Sequence, residues 1–117
     1  MDSKEIALGV CKALDDKKGK NIVLLGLEGI SLLTDYFVIC HGNSRIQTQA
    51  LADHVEKEMQ KVGVFLERRE GYAEGRWVLQ DYGAVITHIF QEAERQFYNL
   101  ERLWGDAPLT HYGKYVE

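Results

Sequence analysis

Residues 75–106, GRWVLQDYGAVITHIFQEAERQFYNLERLWGD, decide the fold, because a β-hairpin pattern runs there straight into an amphipathic helix. Arg76 to Asp81 and Ala84 to Phe90 are rich in β-branched and aromatic residues and flank the turn-prone pair Tyr82-Gly83. They read as adjacent antiparallel strands. With Tyr82-Gly83 as a two-residue loop, Asp81 pairs with Ala84, Leu79 stands opposite Ile86 and Trp77 opposite His88. Those six side chains share one face, since alternate strand residues point the same way. The helix begins near Gln91, and Ala93, Phe97, Leu100 and Trp104 fall at i, i+4, i+7 and i+11, which predicts one stripe against the sheet before Gly105 ends it.

Upstream, Ser3 caps a first helix through about Leu14, in which Ile6, Val10 and Leu14 recur every four residues and Ala7 and Cys11 widen the apolar stripe. Residues 15–20, DDKKGK, form a solvated connection. Ile22 to Leu27 reads as a buried strand, Glu28-Gly29 as a turn, and Tyr36 to His41 as a second strand. Ser44 with Gln47 three residues on is a capping-box signature, and the helix it opens runs to about Lys61, with Gly63 as its C-terminal cap. Val64 to Arg69 resumes strand character. The order α-β-β-α-β-β-β-α predicts an α/β or α+β domain, a mixed β-sheet flanked by helices. We place a single domain over residues 1–108 and a C-terminal tail over 109–117, loosely attached unless Tyr112 and Tyr115 are tied down by packing.

A chain of 117 residues, 45% hydrophobic, is long enough for one domain with a core and too short for two. Its net charge of −4 argues against binding RNA by phosphate neutralisation, which needs clustered Lys and Arg, and in favour of a basic protein surface as target. No sequence-specific nucleic-acid binding is expected. The two cysteines, Cys11 and Cys40, do not make a disulfide scaffold and suit a reducing compartment. No apolar run approaches the roughly 20 residues a membrane span needs, and MDSKEIALGV resembles neither a signal peptide nor a transit peptide. A cytoplasmic, non-membrane protein is expected.

GRWVLQDYG, the strand VITHIF and FYNLERLWGD resemble the Iojap-related ribosomal silencing factor family, as do TDYFVIC, GNSR and ALADHV upstream in the same order and spacing. The likeness spans nearly the whole chain. It implies a nucleotidyltransferase-like sheet topology and a non-enzymatic translational repressor. Such a repressor binds ribosomal protein L-fourteen of the large ribosomal subunit and sterically blocks association with the small subunit. The family often carries a D-x-G-D arrangement where this chain follows Asp81 with Ala84, so no acidic contact is carried over to position 84.

Within that reading the docking surface centres on Trp77, Asp81, Tyr82 and His88, with Arg76 and Leu79 beside them. A strand Trp is most often core, yet Trp is also enriched in binding hot spots, and both roles hold if it is partly covered. Asp81 is costly to bury alone, so it is either a turn residue or an acceptor for a partner's Lys or Arg. Arg76 and Glu74 lie in water beside the Gly71-to-Gly75 loop, and Tyr98, Arg102 and Trp104 pack the last helix.

Two rival readings stand beside it. A nucleotide-binding or nucleotidyltransferase-like enzyme would use Gly42-Asn43-Ser44 at a helix N-terminus as a phosphate cradle. The chain has no Asp-x-Asp for divalent ions, and Glu92-x-Glu94 lies at a helix start. Cys40 and His41 are strand neighbours on opposite faces and cannot act as nucleophile and base. The histidines and cysteines lack C-x-x-C or H-x-x-x-H spacing, so no catalytic residue, cofactor or metal is expected. The other rival is a homodimer closed through an apolar strand face bearing Leu79, Ile86 and Phe90.

Overall fold

The first helix starts one residue earlier than its serine suggests. Asp2 Oδ1 accepts the Glu5 N–H at 2.8 Å and Glu5 Oε1 accepts the Asp2 N–H at 3.2 Å, so the reciprocal box makes Asp2, not Ser3, the cap. The computed structural model describes residues 1–116. In chain order they form α1 (Ser3–Asp16), β1 (Lys20–Gly26), β2 (Tyr36–Gly42), α2 (Arg45–Lys61) and β3 (Arg68–Glu70). There follow β4 (Trp77–Asp81), β5 (Val85–Gln91), α3 (Glu92–Tyr98), α4 (Leu100–Leu103) and β6 (Leu109–Tyr112). The eight expected elements appear in the expected order, with α4 and β6 in addition.

The strands make one six-stranded mixed sheet, ordered β3-β4-β5-β2-β1-β6. Its one parallel pair, β2 with β5, lies at the centre, and α2 supplies part of the crossover that such a pair requires. All other neighbours are antiparallel. β6 corrects the tail reading: Leu109 to Tyr112 pair with Leu25 to Ile22, Tyr112 packs on the core, and the Asn21 N–H donates to the Tyr115 carbonyl at 2.8 Å. The alternation in LTHY is too short to show a period, and only the open edge of β1 gives it a partner. Of Val64 to Arg69, only the last two residues enter a strand.

The hairpin loop has two residues, but they are Gly83 and Ala84. The Tyr82 N–H donates to the Val85 carbonyl at 2.9 Å, only Gly83 takes a positive φ (82°), and its N–H is held by Asp81 Oδ1 at 2.8 Å. Gly at the first of two loop positions suits a type II′ turn, whereas Tyr82 there would need a conformation a bulky residue avoids. Every pairing therefore moves by two residues: Trp77 lies opposite Phe90, Leu79 opposite His88 and Asp81 opposite Ile86. A shift by an even number leaves each side chain on its expected face; only Ala84 drops out of the set.

α1 and α2 cover the back of the sheet. Val10, Cys11, Leu14, Leu51, Val55 and Met59 from the helices pack against Ile22, Leu24, Val38, Cys40, Val78 and Ile89. Buried Gln80 is a polar member of that face, opposite buried Thr87, its Nε2 donating to the Ala52 carbonyl (2.9 Å) and to Glu56 Oε2 (2.8 Å). The front is covered by less. The helix expected from Gln91 to Gly105 breaks at Asn99, which sits in the left-handed region with φ 44°. Its expected stripe fails in the first half: Ala93 and Phe97 are exposed, and buried Arg95, two residues from each and so on the opposite side of α3, points inward. Leu100 and Trp104 do pack against Val23, Leu25, Ile39 and Phe90.

Candidate docking surface

On the uncovered half of the front face, β4 and β5 set out Trp77, Leu79 and Asp81 against Phe90, His88 and Ile86. Trp77, Leu79, Asp81 and Ile86 are half-buried, while Phe90 is fully buried. The Trp77 indole lies 5.0 Å from the Phe90 ring and 4.6 Å from that of Tyr98, centre to centre. Its N–H donates to His88 Nδ1 at 3.1 Å. Trp77 is thus partly covered: its inner edge belongs to the core and its outer edge faces solvent.

The Trp77 bond fixes His88 as the neutral tautomer protonated on Nε2, because Nδ1 must offer its lone pair. Burial pushes the imidazole down to about 3, since no solvent remains to stabilise a charge there. Phe37 closes edge-on against the same ring, with centroids 4.4 Å apart. His88 is therefore a buried support for the indole rather than a surface contact.

Asp81 resolves toward the turn reading. One carboxylate oxygen caps Gly83, and the other lies 3.9 Å from Arg68 across the strand pair. Tyr82 leaves the group altogether. Its ring is buried in the back cluster, and burial together with the Glu56 carboxylate raises its hydroxyl pKa. Arg76 is exposed on the flank of Trp77. The sheet thus brings together Trp77, Leu79, Asp81 and His88, with Arg76 at the border, and excludes Tyr82.

Sequence reasoning missed how the 71–75 loop is fixed beside Trp77. Thr48 Oγ1 donates to the Gly75 carbonyl (2.7 Å), Gln49 Nε2 to that of Tyr72 (2.8 Å), and Gln91 Nε2 again to Gly75 (3.1 Å). Gly75 has φ 66°, and a Cβ there would meet Arg45 Cγ at 2.5 Å. A polar run of Thr and Gln on a helix reads as solvated surface, so the only signal was Gly71 and Gly75 four residues apart.

The rival chemistries find their groups spoken for. At the α2 N-terminus, Ser44 Oγ accepts the Gln47 N–H (3.1 Å) and Gln47 Oε1 accepts the Asn43 N–H (2.6 Å). The Gln47 side-chain amide therefore occupies one of the N–H groups that a phosphate cradle would use, and Gln47 serves Asn43 where a full capping box would serve Ser44. Cys40 faces the back cluster with its thiol pushed to about 12 by burial, whereas His41 Nδ1 accepts from Arg95 at 3.0 Å in front. Among the described residues, Asp16, His54 and Glu58 are the one group of donors close enough for a metal. Lys12 already pairs with Asp16 (3.6 Å) and Lys61 with Glu58 (2.8 Å) at that solvent-facing helix pair.

Fold and surface together define a mixed-sheet α+β domain with one face sealed by two long helices and the other left partly open. The family model described as "Ribosomal silencing factor during starvation" matches residues 1–116. The chain belongs to the ribosomal silencing factor family, and with it to the ribosome-associated translational silencers. It is 49% identical over 110 residues to the ribosomal silencing factor of Bacillus subtilis, covering 94% of this chain and 93% of that protein. It is 31% identical to the chloroplastic protein Iojap of Arabidopsis thaliana over 91% of this chain and 44% of that one. A crystal structure of a Chromobacterium violaceum protein superimposes with a TM-score of 0.87 at 36% identity, covering 90% of this chain and 88% of the other. Among the described residues no helix is long and apolar enough to cross a membrane.

Proposed function

We propose that the chain represses translation by docking its open front face on ribosomal protein L-fourteen of the large subunit, where its body obstructs the small subunit. The observation that carries this reading is the half-buried Trp77, held from behind by His88 and Phe90 and open on its outer edge. An anchor already locked in its bound rotamer loses little entropy on binding, which is how aromatic hot spots supply affinity. A standard interface of about 800 Å² per partner fits on one face of a domain measuring 34 × 32 × 26 Å. The mechanism is occlusion, so no covalent step, cofactor or metal enters it, and the site of action is the cytoplasm.

The test is capture of ribosomal protein L-fourteen by the tagged chain, followed by sedimentation of mixed subunits. Wild type holds the partner and keeps the subunits apart. Trp77→Ala and Leu79→Lys each weaken capture at least about tenfold with native circular dichroism, Leu79→Lys covering the case in which loss of the indole disturbs the fold. Full capture by both variants places the contact elsewhere, and subunits that couple at saturating protein remove the mechanism.

A further inference from the structure

The solvent edge of Trp77 borders a cleft of about 290 Å³ lined by Gly71, Glu74, Arg76, Trp77, Glu94 and Tyr98. One wall is aromatic, with the Trp77 and Tyr98 rings 4.6 Å apart and inclined at 46°. The rim is acidic: Glu74 comes from the glycine-bounded loop and Glu94 from α3, and neither has an ion-pair partner among the described residues. A smaller notch that shares Gly71 and Trp77 with the cleft adds Glu70, whose carboxylate is held by Arg68 at 3.1 Å. Arg76 is the single basic group at the cleft; it is exposed and makes no ion pair among the described residues.

We infer that this cleft is a receptor for an arginine side chain presented by the basic protein surface on which the chain docks. The inference rests on the docking reading above and names the chemistry of its central contact. A guanidinium is planar, stacks on an indole or phenol face, and is weakly hydrated, so it gains from the aromatic wall while its edge N–H groups reach the two carboxylates. A lysine ammonium would meet the same carboxylates but lose more hydration and gain no stacking. Nucleic acid is the wrong partner, because Glu74 and Glu94 would face its phosphates. The cleft is also formed in advance: Thr48, Gln49 and Gln91 pin the loop that carries Glu74, and His88 holds the indole.

The experiment measures affinity for the large ribosomal subunit across a range of ionic strength for wild type, the double variant Glu74→Gln/Glu94→Gln, and Trp77→Ala. Both glutamates are outside the core, so the double variant unfolds at the wild-type temperature. Its affinity is expected to fall about tenfold at low salt, and its salt dependence to flatten, because the screened attraction has been removed. Wild-type affinity and salt slope in the double variant, with Trp77→Ala still weakened, overturn the arginine receptor and leave the docking face standing. Undiminished binding by Trp77→Ala overturns the face itself.

Discussion

The back and front of this sheet differ in how completely helices cover them. On the back, Val10, Cys11, Val38, Cys40, Leu51, Val55, Val78 and Ile89 are all at zero exposure beneath two helices of 14 and 17 residues. In front, helices of seven and four residues, broken at Asn99, cover β1, β2 and part of β5 and stop short of Leu79 and Ile86. The same strands therefore serve stability on one side and leave apolar area available on the other. A partner docking on the front need not displace anything already packed there.

The largest expected effect separates the faces directly. Leu51→Ala removes a fully buried side chain from the back cluster and should cost about 2–5 kcal/mol, whereas Leu79→Ala on the half-open front should cost about 1 kcal/mol or less. Urea unfolding reads both. Equal losses would mean that the front is as much core as the back.

The next effect comes from His88 and depends on pH. Its folded pKa of about 3 lies below the unfolded value of 6.5, so as pH falls through 6.5 the unfolded chain takes up a proton that the native chain refuses. Stability then declines down to the folded pKa near 3, where both states are protonated. Between pH 7 and pH 5 the loss from this group alone is about 2 kcal/mol. Wild type should therefore lose about that much more than His88→Gln over the same interval, the carboxylates contributing alike to both. A variant with the wild-type pH slope would show that the imidazole titrates normally and does not lock the indole.

What could be read beforehand follows the same division. The back was legible because α1 and α2 carry unbroken stripes, Val10 and Leu14 in one and Leu51, Val55 and Met59 in the other, and local pattern and tertiary burial agree there. The front was legible only strand by strand. Alternation put Trp77, Leu79 and His88 on one face, and a register error of two could not undo that. Three things escaped because each depends on a distant partner. β6 needs the edge of β1; buried Arg95 needs Glu101, the Lys20 carbonyl and His41; Tyr82 needs the apolar space beneath α2. Phe97 fits a helical stripe by spacing, yet it is 81% exposed because α3 turns its Arg95 side to the sheet.

The smallest effect tests how far the front face depends on its turn. Asp81 was open between turn residue and partner contact, and its Oδ1 bond to the Gly83 N–H assigns it a turn role. Asp81→Asn keeps that oxygen and loses only the 3.9 Å pairing with Arg68, which is solvent-screened, so stability should change by no more than about 0.5 kcal/mol. Asp81→Ala leaves the Gly83 N–H to find water and should cost about 1 kcal/mol. Docking separates the remaining possibility: if Asp81 acts only through the hairpin, Asn binds the large subunit as wild type does, and Ala binds it nearly as well at temperatures where the protein stays folded. A fall in affinity for Asn without a fall in stability would instead make the Asp81 charge itself a contact. The acidic recognition centred on Glu74 and Glu94 would then extend along β4 to the turn.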